Sequence, residues 1–132
     1  MDKMVYCFIN GVKRPLHYSM EVLFAVNDRF GNINNALEVL TKEDKDSFEA
    51  LQFLAVAMAN DAELRLRAEG YDHGKFLGAD DITMRMKPVE YVNLIQAVTD
   101  AVAAGYEQEH KSENEEIDLG LAELRKKAEA GS

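Results

Sequence analysis

The sequence predicts a mainly α fold: a compact helical domain with an N-terminal β-hairpin and a polar, partly disordered C-terminal tail. Three observations predict it. An Asn10-Gly11 pair separates two short runs near the N-terminus, and apolar residues at helical spacing fill the middle of the chain. Residues 107–118 then carry six carboxylates against one lysine. Such a stretch buries too little apolar surface to offset its ordering entropy. The expected organisation is a globular unit over residues 1–105 and an acidic tail, with a short amphipathic helix, over 106–132.

The elements follow in order. Met4–Ile9 is rich in β-branched and aromatic residues and reads as a strand. Asn10 and Gly11 both tolerate positive φ, which is what a two-residue hairpin turn demands. The return strand is expected over Val12–Tyr18, with Pro15 restricting it to an edge or a short pairing. A hairpin alone is marginal, so it must pack on helices or on another chain. Ser19 is placed to cap a helix over Met20–Phe30, ended by Gly31, with Val22, Leu23, Val26 and Phe30 on one face. A short helix at Ile33–Leu40 is capped by Asn32, and Thr41 with Asp44 opens the next. From Phe48 to Ala59 that third helix is apolar on nearly every side, which marks it as surrounded by others. It turns charged over Asp61–Glu69 and stops at Gly70. Residues 70–81 hold three glycines and form a long turn, with one or two helical turns expected over 80–86. Pro88 suits the first position of a last helix reaching about Gly105, with Tyr91, Leu94, Ile95, Val98, Ala101 and Val102 as its stripe. Phe24, Phe48 and Phe53 are expected in the core, and so are Tyr71, Phe76 and Met84.

A formal charge of −9 argues against a nucleic-acid-binding surface, which needs a concentrated positive field. Cys7 is the only cysteine, so no intrachain disulfide forms, and its place in VYCFI suits a small buried hydrophobe. No segment has the roughly 18–20 apolar residues of a membrane helix, and the N-terminus does not read as a signal peptide. A soluble, cytosolic protein with no membrane partner is expected.

The sequence offers little chemistry. His17, His73 and His110 are far apart, and Ser19 is better explained as a cap than as a nucleophile. Asp72-His73 with Asp80-Asp81 is the strongest metal candidate, because hard cations favour carboxylates on loops. It lacks the alternating ligands of a calcium loop and the second histidine of a zinc site. GYDHGKFLG shares only composition with a phosphate-binding loop. No catalytic residue, metal ligand or cofactor is therefore assigned, and no enzymatic activity is expected. The partner-binding residues expected from the tail are Leu119, Leu121 and Leu124, which lead into Arg125-Lys126-Lys127. Glu107–Glu116 is expected to act as a solvated tether, and Asp118–Lys127 as the conditional docking piece.

The hairpin FINGVKRPLHYS leads into the helix MEVLFAVNDRFG, and a short helix precedes the long SFEALQFLAVAMANDAELRLRAEGY. A turn, the proline-started MKPVEYVNLIQAVTDAVAAGY and the closing EEIDLGLAELRKK complete the order. This order resembles the small tail assembly chaperones of long-tailed bacteriophages and prophages, and is similar to the related small protein of gene transfer agents. The resemblance implies a protein of the host cell cytoplasm that coats the long helical tape measure protein and helps recruit tail tube subunits. It also implies self-association, and in some relatives a longer product made by frameshifting, for which Arg125–Lys127 is the matching place. Two other readings of the chain are a ring-forming connector or neck protein using the hairpin edge, and a small ligand- or metal-dependent enzyme centred on the 71–81 turn.

Overall fold

A computed structural model describes residues 4–107; the expectations for the tail, Leu119, Leu121 and Leu124 among them, lie outside the described residues. The described chain is mainly α, with four helices behind an N-terminal antiparallel hairpin. Strand β1 (Val5–Ile9) pairs with β2 (Val12–Leu16) through a turn in which Asn10 and Gly11 have φ of 53° and 74°. The return strand is two residues shorter than expected, because His17 leaves the ladder and donates its backbone N–H to the Met58 carbonyl at 3.1 Å. Pro15 faces Tyr6 in the register. Counting back from the turn, that is a non-hydrogen-bonded pair, so the missing N–H costs the ladder nothing. Cys7, Ile9 and Leu16 are buried, whereas Tyr6 and Phe8 face outward.

Helix α1 (Met20–Phe30) and helix α2 (Ile33–Leu40) form as expected. Asn32 caps α2 by accepting the Asn35 N–H at 2.8 Å. Ser19 occupies the cap position of α1 but makes no side-chain capping bond, so that part of the expectation fails. Phe24 is a second correction, being 59% exposed. It stands about 200° around the helix from Val22, and only the Val22–Val26 side meets the core.

Helix α3 (Lys45–Ala68) is central, packing on β2, α1, α2 and the last helix. Its start is set by Asp44 and Ser47, not by Thr41. Ser47 donates its N–H to Asp44 Oδ1 at 2.9 Å, and Asp44 returns its own N–H to Ser47 Oγ at 3.3 Å. Thr41 instead donates its hydroxyl to the Glu38 carbonyl. Leu51, Leu54, Ala55, Met58, Ala59 and Ala62 are fully buried along α3, and the alanines let neighbours approach closely.

The connection over residues 69–87 holds only a single 3-10 turn at Ala79–Asp81, not the helical turns expected over 80–86. It returns along α3 from its end to its beginning: Gly74 meets Glu63, Leu77 meets Asn60, and Ile82 meets Gln52. Helix α4 (Pro88–Tyr106) therefore starts beside the start of α3 and packs against it. Phe48 and Tyr91 stack near the two beginnings, with ring centroids 6.3 Å apart. At the far end, Tyr18 packs edge-on against Tyr106 at 5.7 Å. A Cβ on Gly105 would lie 2.8 Å from the Tyr18 carbonyl oxygen, so this end closes only around a glycine.

Candidate functional site

The turn singled out for chemistry is held as scaffolding. Gln52, Asn60, Glu63 and Arg67 form a polar stripe at helical spacing along α3, and the connection lies on it. Asn60 clasps Leu77 from both sides, accepting its N–H at 2.6 Å and donating to its carbonyl at 2.9 Å. The side-chain amide thus pairs with a peptide group as a neighbouring backbone would. Gln52 donates to the Ile82 carbonyl at 2.7 Å, and Arg67 donates to the Gly74 carbonyl at 3.1 Å while covering the Phe76 ring. Glu63 is only 2% exposed and accepts the Gly74 N–H at 2.6 Å. From the hairpin side, Asn10 donates to the Asp81 carbonyl and Arg14 to the Lys75 carbonyl. These grips satisfy backbone groups that an irregular segment packed on a helix would otherwise leave without partners.

The candidate ligands of that turn do not converge. Asp81 accepts the Gly78 N–H at 2.9 Å, and His73 Nδ1 lies 3.2 Å from the Tyr71 carbonyl. Among the described residues no three His, Cys, Asp or Glu side chains come together as a cation site. His17 pairs instead with Asp61 at 2.7 Å, joining the end of β2 to α3. Cys7 is buried, and desolvation pushes its thiol up to about 11 although Arg14 pulls it slightly down.

A different site stands at the common start of α3 and α4. Phe48, Met84, Met86, Pro88, Tyr91 and Val92 line a groove of about 520 Å³, with Glu43 and Lys45 at its rim. It forms because the side-chain grips on the connection end at Ile82. The next residues make a tight turn, with the Met86 N–H on the Thr83 carbonyl, and carry Met84 outward. Met84 is 62% exposed and Val92 59%, so the groove is apolar and open to solvent. Tyr71 and Phe76 are exposed as well, which corrects the expectation that they and Met84 are core residues. The Tyr91 hydroxyl is buried beside the Ser47 side chain. Burial first, and the Glu43 and Asp44 carboxylates after it, raise its pKa. The groove can hold an apolar side of a helix, and unbranched Met84 and Met86 can adapt to different side chains.

Comparisons with protein-family models, curated proteins and solved structures find no match to this chain. Sequence reasoning missed the polar stripe and the groove. The stripe left a signal in the spacing of Gln52, Asn60, Glu63 and Arg67 on an otherwise apolar helix. The groove left none, because it depends on the direction in which α4 runs.

Proposed function

We propose that this protein is a non-enzymatic phage tail assembly chaperone, acting in the host cell cytoplasm, that binds the tape measure protein and helps recruit tail tube subunits. The observation that carries the reading is the solvent-open apolar groove built by Phe48, Met84, Met86, Tyr91 and Val92. An exposed apolar channel on an acidic domain suits transient capture of a long helical partner, and the net charge of −9 opposes self-association of the chain. The identity of that partner is what the resemblance in element order to tail assembly chaperones implies. No nucleic acid or membrane takes part in this reading; no helix among the described residues is long and apolar enough to cross a bilayer.

Co-expression with the long coiled-coil product of the adjacent gene tests the proposal. The partner is expected to be recovered in soluble form with the full chain, and Met84→Glu combined with Val92→Glu should cut recovery at least tenfold, as loss of a buried anchor does. Failure of the unmodified chain to hold the partner in solution removes the reading. A ring-forming connector is the second reading, favoured by outward-facing Tyr6 and Phe8 on a two-stranded sheet. Discrete closed rings of the isolated protein in solution would decide for it.

A further inference from the structure

We propose that the chain's own C-terminal segment, residues 117–127, occupies the groove at the start of α3 and α4 when no partner is present, so that partner binding is a displacement. This deepens the functional reading above and rests on it. Three observations lead there. First, Ile117, Leu121 and Leu124 follow one another at i, i+4 and i+7, which puts them within about 60° of one another on a helix, whereas Leu119 falls on the opposite side. The segment therefore carries one apolar stripe of the width that a groove accepts. Second, Gly120 interrupts it and the stretch is short, so a helix there is marginal without a surface to fold on.

Third, the reach is sufficient. Tyr106 closes α4 at the end opposite the groove, and from Val92 to Tyr106 the helix rises about 21 Å. The ten residues Glu107–Glu116 span roughly 33 Å when extended, enough to return along α4 with slack. A tether of that length holds its end at an effective concentration on the order of millimolar, so even a weak contact is populated. The acidic run before the stripe is thereby explained as a linker that stays hydrated while its end docks.

A nitroxide on Ala122→Cys in the full chain, read through the methionine methyl signals, tests this directly. Cys7 is buried and takes no label under native conditions, and position 122 faces away from the apolar stripe. The methyl signals of Met84 and Met86 should broaden, while Met20, two residues after the Tyr18 that packs on Tyr106 at the far end of α4, keeps its intensity. The pattern should hold on dilution and disappear when Leu121→Asp and Leu124→Asp are added. Equal broadening of Met20 and Met84 overturns the proposal, and so does broadening that fades on dilution, which would assign the docked segment to a second copy. A separate measurement distinguishes the two levels of argument. If the segment fills the groove nine-tenths of the time, Leu121→Asp with Leu124→Asp strengthens capture of the coiled-coil partner about tenfold. Unchanged or weaker capture overturns the displacement, whereas absence of capture by either protein overturns the functional reading and leaves the methyl result to judge the docking.

Discussion

The two ends of α4 differ in almost every respect that packing controls. At the far end Gly105 admits the Tyr18 backbone to within a distance that no Cβ would allow, and Tyr106 lies edge-on over the Tyr18 ring. At the near end Phe48 and Tyr91 stack, and the groove they share with Met84, Met86, Pro88 and Val92 stays open. Both ends belong to α4 and both are aromatic. The difference lies in what enters them: the far end receives Tyr18, just past β2, while the groove face of the near end receives only the last residues of a connection whose grips have stopped. The hairpin turn lies against Glu90 and Asn93 on another face of α4. Closure here follows backbone hydrogen bonding more than the amount of hydrophobic surface.

That contrast can be broken most forcefully at the boundary between gripped and ungripped chain. Ile82 is 1% exposed, two residues before the outward-facing Met84. Ile82→Ala should lower unfolding stability by about 2–5 kcal/mol, whereas Met84→Ala should stay within about 0.5 kcal/mol, both read from urea denaturation. Asn60→Ala leaves the Leu77 N–H and carbonyl unpaired and should cost about 1–3 kcal/mol, with faster amide exchange over residues 74–78. Gly105→Ala forces the closed end apart and should cost a similar 1–3 kcal/mol while leaving partner capture at the groove intact.

The smallest effect concerns pH. Hydrogen bonds from the Ser47 N–H, and secondarily from its hydroxyl, hold the exposed Asp44 carboxyl below its ordinary range. A carboxyl with a depressed folded-state pKa contributes stability that is present above the ordinary carboxylate value, near pH 4, and is lost as pH falls through the folded value. Asp44→Asn keeps a capping acceptor without the titration, so its stability should fall less steeply than that of the unmodified chain below pH 4. Thermal unfolding at a series of acidic pH values measures the difference.

Much of the scaffold was legible because local chemistry dictated it. Asn10-Gly11 set the hairpin turn, Asn32 and Pro88 set two helix starts, and the apolar run from Phe48 identified the central helix. The start of α3 was misread because Asp44 and Ser47 reverse the usual roles of a capping box, with the carboxylate at the cap and the hydroxyl three residues on. Phe24 was misread by residue type although its spacing from Val22 already opposed burial. The groove was beyond reach for a different reason. Met84 and Phe76 have the composition of core residues, and only the long-range grips of Asn60 and Glu63 decide that the connection runs back along α3 and leaves them outside. The three tail leucines lie outside the described residues, and the labelling experiment is what bears on them.

The shared starting place of α3 and α4 has an electrical consequence. Two helices that begin side by side bring their unpaired N–H groups, and the positive ends of both dipoles, to one place. Asp44 and Asp46 stand at the start of α3 and Glu90 in the first turn of α4, so the acids there face those dipole ends. Much of their field is thereby cancelled, and Lys45 offsets more of it. On a molecule that is strongly anionic as a whole, the dipole ends and Lys45 thus offset part of the negative field that Glu43 and Asp44 set up at the groove. A segment settling into it should be held by shape and apolar contact, with an affinity that changes little between low and high salt.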